Sequence, residues 1–214
     1  MQIVRGKKLE TLEPEQFRAL VGQFREVWID VGTGDGKFVL DCARQQPEIL
    51  VIGIDPAWNN LEKSSHRAAQ KPAKGGASNA LFVASSVEAI PAELRNLAAR
   101  VFVNYPWGSL LRGVVEPQSG AIAALGSLLT AGGELELRLN YAVFETEADR
   151  AALAIPELTP DYLNGALSGA YQACGLSKFE WSHLPAADPV RSSWAKRLIL
   201  GSARSTILIR ARKS

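Results

Sequence analysis

The chain has 214 residues, 47% of them apolar and 21% charged, with 24 Lys and Arg against 22 Asp and Glu. That composition excludes a disordered chain and supplies enough apolar side chains for a core without disulfides. No apolar run reaches the roughly 18 residues of a membrane span, and the start, Met1-Gln2-Ile3-Val4-Arg5-Gly6-Lys7-Lys8, turns charged too early for a signal peptide.

In chain order, a short hairpin is expected around Gly6, then a helix from Pro14 to Phe24 with the proline in its first turn. Val27–Val31 reads as a buried strand, 38–45 as a helix, Leu50–Ile54 as a second strand and 58–70 as a helix, broken by Lys71-Pro72-Ala73-Lys74-Gly75-Gly76. Leu81–Ala84 and Ala99–Val103 are the third and fourth strands. A helix over 119–129 ends at Ala131-Gly132-Gly133, and Glu134–Leu139 is the fifth strand. Residues 140–160 are polar and irregular, 161–174 helical, and 177–184 and 205–211 the last two strands. Continuous apolar strands alternating with helices predict a parallel sheet covered on both faces. The last two strands have no long helix between them and are expected to pair antiparallel. Residues 1–214 are read as one domain, with 1–25 as an N-terminal hairpin-and-helix extension and 140–160 as an insertion.

Charge is unevenly spread. Between Pro56 and Val87 the only acid is Glu62, against Lys63, Arg67, Lys71 and Lys74. From Arg191 to Ser214 there is no acid against seven bases. Two basic tracts on a near-neutral chain are suited to holding a polyanion, or are simply two solvated faces. Cys42 and Cys174, far apart and without metal-ligand spacing, read as free thiols of a reducing cytoplasm, and two histidines are too few for a histidine metal site.

The sharpest local signal is Asp30-Val31-Gly32-Thr33-Gly34-Asp35-Gly36-Lys37, which follows the first parallel strand and opens a helix. A dinucleotide loop needs a third glycine where Lys37 stands, so a nicotinamide cofactor is disfavoured. The pattern resembles the first motif of S-adenosylmethionine-dependent methyltransferases, in which the strand-end acid meets the ligand's amino group. Asp55 ends the second strand, where an acid can accept ribose hydroxyls, and Ser86-Val87-Glu88 follows the third, where an adenine ring would lie. The fourth strand ends in Asn104-Tyr105-Pro106-Trp107-Gly108-Ser109. A tryptophan in such a loop suits stacking on a planar base, and a second, Trp194, sits within a basic tract. Trp28, Trp58 and Trp181 fall in apolar runs and are expected in the core.

These segments, with Ile54-Asp55-Pro56, Lys71-Pro72-Ala73-Lys74-Gly75-Gly76, Pro106-Trp107-Gly108-Ser109-Leu110-Leu111 and Ser193-Trp194-Ala195-Lys196-Arg197-Leu198, resemble nearly end to end the aminoglycoside-resistance methyltransferases of the kanamycin–apramycin type. Those enzymes modify N1 of adenine 1408 in 16S ribosomal RNA. The resemblance implies a Rossmann-like class I S-adenosylmethionine-dependent methyltransferase fold: α/β, with a seven-stranded, mostly parallel sheet and an antiparallel last strand. It implies S-adenosylmethionine as cofactor, held by Asp30, Gly32, Gly34, Lys37, Asp55, Val87, Glu88 and Ser109, with Asn104, Trp107, Ser192 and Trp194 at the methyl end. Trp107 and Trp194 would stack on the target adenine with no acid or base catalyst, and Arg67, Lys71, Lys74, Arg197 and Arg204 would meet RNA phosphates.

The implied setting is a cytoplasmic monomer, without metal or membrane, acting on the 30S subunit. His66, Gln70 and Ser202 stand where the family can carry further bases, which predicts weaker RNA affinity; Asn104 replaces an aliphatic residue. Asn104-Tyr105-Pro106-Trp107 also looks like the Asn-Pro-Pro-aromatic motif of amino-directed methyltransferases, which keeps N6-adenine methylation as an alternative. The others are tRNA guanine-N7 methylation and a non-catalytic RNA-binding relic of the fold.

Overall fold

The computed structural model describes residues 1–184 and 206–214. Its elements are β1 (Gln2–Arg5), β2 (Lys8–Thr11), α1 (Pro14–Val21), β3 (Glu26–Val31), α2 (Lys37–Gln45), β4 (Ile49–Asp55), α3 (Glu62–Ala68), β5 (Ala80–Ala84) and β6 (Ala98–Asn104). They continue with α4 (Gly108–Val115), α5 (Gly120–Leu128), β7 (Leu129–Asn140), α6 (Ala142–Glu145), α7 (Glu147–Leu153), α8 (Pro160–Tyr162), α9 (Ser168–Ala173), β8 (Leu176–Leu184) and β9 (Thr206–Lys213). A π turn over Leu163–Leu167 joins α8 to α9.

The strands form one sheet in the order β2-β1-β5-β4-β3-β6-β7-β9-β8. The five from β5 to β7 run parallel. β9 is antiparallel to β7, and β8 to β9, as the missing helix between them predicts. The seven-stranded α/β sheet expected from the sequence is therefore present, and the N-terminal hairpin enlarges it to nine strands by pairing Ile3 with Val83 at the edge. The strand order runs outward from β3 in both directions, through β4 to β5 and through β6 to β7. The carboxyl ends of β3 and β6 therefore meet at the switch point where open α/β sheets bind ligands.

Among the described residues, the expectation that both faces are covered is met along one face and, on the other, over β1 and β3 to β5. One large core, including Ile29, Ile52, Val101, Leu137 and Ile209, runs beneath every strand but β2 on one face. The opposite core, with Val39, Leu40, Val51 and Phe82 under α2 and α3, takes no residue from β6 through β9. There the outward positions alternate with buried leucines and isoleucines and carry charge. Glu136, 5% exposed, pairs with Arg210 at 3.0 Å and with Arg138, and Glu134 pairs with Arg212 across the β7–β9 ladder. Arg100 lies over the rings of Trp28 and Phe102. Two arginines of the acid-free C-terminal tract are thus neutralised by acids far away in sequence. Trp28, Trp58 and Trp181 are half-buried against the cores and not enclosed by them.

Two other expectations change. Helix α4 fills a stretch between the fourth strand and the 119–129 helix for which no element is expected from sequence, with Leu111, Val114 and Val115 at the spacing of a buried helical face. Ala131-Gly132-Gly133 does not end a helix. It forms a bulge within β7, at the register shift between Ala98 and Arg100.

Candidate functional site

A cleft of about 850 Å³ opens at the carboxyl ends of β3, β4 and β6. Asp30, Gly32, Gly34, Lys37, Asp55, Asn104, Trp107 and Ser109 all line it, so one site gathers residues drawn from 80 positions of sequence. Pockets of this size suit nucleoside-sized ligands.

Asp30 is the cleft's buried acid. It is 1% exposed, and Asn104 donates its side-chain amide to Asp30 Oδ1 at 3.0 Å. Burial pushes the Asp30 carboxyl up to about 7, against the pull of that hydrogen bond. A carboxylate held so reluctantly in the charged form is suited to a cation brought by a ligand. Asp55 accepts the Gly34 N–H at 2.8 Å on one oxygen and the Ala57 N–H at 2.8 Å on the other. It therefore shapes the glycine loop while lone pairs remain for hydroxyl donors. Its own pKa is raised by burial, those backbone bonds opposing the rise.

The loop glycines are used in two ways. Gly34 has φ +61°, and a Cβ there would meet nothing within 4 Å, so the loop leaves an open cradle above it. At Gly32, φ +72°, a Cβ would press into Leu110 of α4, so the loop packs tightly beneath that helix. Lys37, at the start of α2, is paired with Asp35 at 2.9 Å.

The opposite wall is set by the turn after β6. Tyr105 adopts φ +51°, a left-handed conformation costly for a tyrosine. It is held there by Tyr105 N–H donating to Arg138 O at 2.7 Å and by a buried hydroxyl contact with Thr206 at 3.2 Å. The chain then turns through Pro106 and presents Trp107, 51% exposed, immediately before α4. The far end of α4 is fixed as well. Tyr171 donates its hydroxyl to Val114 O at 2.9 Å and Tyr162 to Val115 O at 2.7 Å, satisfying carbonyls left open at a helix terminus. Sequence reasoning did not find Tyr105, Tyr162 or Tyr171. Their roles depend on tertiary contacts 47 to 101 positions away, which no local pattern announces.

The remaining expected residues divide. Val87 is buried in the core and Glu88 exposed, and neither lines the cleft. Arg67 is exposed on α3, and Lys71 and Lys74 stand on the turn that follows. That turn is rigid by construction. Gly76 N–H donates to Lys71 O at 3.1 Å, Ala77 N–H to Ala68 O at 3.0 Å, and the Arg44 guanidinium reaches Gly75 O. A Cβ at Gly76 would overlap the Gln70 carbonyl. Ser192, Trp194, Arg197 and Arg204 lie outside the described residues. The flanking Leu184 and Thr206 pair with each other, and Thr206 lies opposite Asn140, at the cleft end of the sheet. Among the described residues no cluster of three His, Cys, Asp or Glu is placed to hold a metal, and no helix is long and apolar enough to cross a membrane.

Comparison with known proteins gives a consistent picture. The family described as NpmA, 16S rRNA (adenine(1408)-N(1))-methyltransferase, matches residues 2–213. A protein of that name from Escherichia coli is 34% identical over 211 residues, covering 96% of this chain and 95% of its own. Among solved structures, the 16S rRNA methyltransferase KamB superposes with a TM-score of 0.90 at 31% identity, covering 100% of both chains. A mutant 16S rRNA (adenine(1408)-N(1))-methyltransferase from Catenulisporales acidiphilia, solved with cosubstrate SAM, superposes with a TM-score of 0.88 at 34% identity, covering 100% of this chain and 96% of its own.

Proposed function

This chain belongs to the 16S rRNA (adenine(1408)-N(1))-methyltransferase family, and on that premise we propose that it methylates N1 of adenine 1408 with S-adenosylmethionine, conferring aminoglycoside resistance. The observation that carries the reading is the pairing, in one cleft, of a buried acid that seeks a cation with an exposed tryptophan that seeks a flat partner.

The cleft's own groups fit that cosubstrate. Asp30 would receive its ammonium, the cradle over Gly34 its backbone, and Asp55 its ribose hydroxyls. Asn104 keeps Asp30 aligned. When bound, the cosubstrate supplies a methyl on a sulfonium. The adenine N1 lone pair lies in the ring plane and is free at neutral pH, so it can form the new N–C bond in line as the C–S bond breaks. No proton has to be removed, and the positive charge passes to the base.

The chain's task is then positioning. Trp107, held before α4, offers a face on which the flipped adenine stacks, and Trp194 is the proposed second wall. Their indole faces would also favour the charge developing on the base, by about 0.5–2 kcal/mol. Arg67, Lys71 and Lys74 take RNA phosphates, joined by Arg197 and Arg204. Asn104 donates its amide N–H to Asp30, which gives it a part in holding the cosubstrate's acid in place; its side-chain oxygen remains an acceptor, so the preference for N1 over N6 rests on the family match.

The reading extends to the intact 30S subunit as substrate, because separated basic surfaces fit a folded RNA better than a linear strand. It includes a monomer working in the cytoplasm with no metal, since N1 attack requires no Lewis acid. Labelled-methyl transfer into isolated 30S subunits, against protein-free 16S RNA, tests this. Strong transfer to the subunit is expected, and no transfer to either would overturn it.

A further inference from the structure

Two groups of positive charges among the described residues behave differently. Arg100, Arg138, Arg210 and Arg212 on the outer face of β6, β7 and β9 are matched to Glu134 and Glu136. Among the described residues, Lys63, Arg67, Lys71 and Lys74 make no ion pair. Neither do Lys7 and Lys8, at the tip of the β1–β2 hairpin, both exposed. The nearest acid on the hairpin, Glu10, is taken by Arg5 at 3.1 Å.

The hairpin tip is not a loose arm. Ile3 buries in one core and Val4 in the other, so β1 is pinned from both faces of the sheet. Gly6 N–H donates to Ser65 Oγ of α3 at 2.9 Å, and Ser65 is itself buried and donates to Glu62 O at 3.1 Å. This docks the tip against the helix that carries Arg67 and leads into the Lys71–Lys74 turn. A groove of about 510 Å³ runs between hairpin and helix, with Arg5, His66, Gln70 and Ser78 among its lining. Two unpaired lysines on a fixed tip, beside a groove whose other rim continues into unpaired cations, form a track for a phosphodiester backbone.

We propose that the N-terminal hairpin is a second RNA-contacting element: Lys7 and Lys8 bind phosphates of the ribosomal RNA substrate, held in register with Lys71 and Lys74 by the Gly6–Ser65 hydrogen bond. The inference rests on the ribosomal RNA reading given above. It also assigns a use to the hairpin, which lies far from the cleft in the sheet order and adds nothing to its lining.

The test compares three variants for association with isolated 30S subunits over a salt series: the Lys7→Ala, Lys8→Ala double variant, the Lys71→Ala, Lys74→Ala double variant, and Ser65→Ala. S-adenosylmethionine binding by calorimetry reports that each remains folded. Removal of Lys7 and Lys8 should weaken association at least about fivefold and make log K against log salt shallower by about 2, one for each phosphate lost. Ser65→Ala, which removes no charge, should weaken association with the salt slope kept. If Lys7 and Lys8 prove silent while Lys71 and Lys74 matter, the hairpin assignment is overturned and the RNA reading stands. If both double variants are silent, the RNA reading of this whole face falls, and the hairpin assignment with it.

Discussion

The two halves of the sheet handle charge in opposite ways. On the outer face of β6, β7 and β9, a layer of arginines and glutamates stands where β3 to β5 carry helices, paired across the ladder (Arg210 with Glu136, Arg212 with Glu134) or along β7 (Arg138 with Glu136). Around α3, the following turn and the hairpin tip, cations stand exposed with no acid partner among the described residues, on backbone fixed by hydrogen bonds. Only the second arrangement leaves charge available to a partner. Both places carry several bases, so it is pairing in space that separates a structural charge layer from a binding surface. The cleft between the halves draws on each, taking Asp30 and Asp55 from the helix-covered side and Trp107 from the side built on β6 and α4.

The comparison can be broken most sharply at Asp30. Asp30→Asn should weaken S-adenosylmethionine binding by about 3 kcal/mol, a factor of roughly a hundred, because a buried charge pair is lost. The unliganded protein should hold or gain melting temperature at neutral pH, since a reluctant buried carboxylate has been removed. Unchanged affinity would place the cosubstrate elsewhere. Next in size, Trp107→Ala should lower turnover about 10- to 100-fold, the worth of one stacked base, with cosubstrate affinity preserved. A loss in affinity matching the loss in turnover would mean that Trp107 serves the cofactor and not the base.

The pH profile follows from the raised Asp30 pKa of about 7. Folded Asp30 holds its proton more tightly than the unfolded chain does. Its contribution to stability is therefore full below the ordinary carboxylate range and is lost as pH rises through about 7. Binding to a cationic ligand runs the other way. Cosubstrate affinity should rise by up to about tenfold per pH unit below 7 and flatten above it. Calorimetry across that range reads the curve, and a flat line would remove Asp30 as the ammonium's partner. The smallest effect is expected in the charge layer. Arg212→Ala, which breaks a half-exposed pair with Glu134, should cost no more than about 1 kcal/mol of stability. It should leave 30S association unaltered, in contrast to Lys71→Ala.

Much of the cleft was legible because its signals are local. Asp30, Asp55 and Asn104 close apolar strands, and the glycines stand where the chain must turn sharply. What escaped depends on distant contacts. Helix α4 takes its place from tertiary contacts: its terminal carbonyls are capped by Tyr162 of α8 and Tyr171 of α9, which sequence alone does not bring near. Glu134 and Glu136 read as ordinary strand polar positions until β9 is laid beside them. Val87 and Glu88 follow β5 as expected, on a 3₁₀ turn over Val87–Ala89 that buries Val87 and leaves Glu88 exposed.

Regiochemistry at the target base is the central claim, and reverse transcription across 16S RNA from cells expressing the protein addresses it most directly. A methyl on N1 blocks the pairing edge of adenine 1408, so the polymerase should stop there with the intact protein and read through with the Trp107→Ala, Trp194→Ala double variant. Read-through of RNA that nonetheless carries one methyl at that adenine would contradict N1 transfer and point to the exocyclic amine.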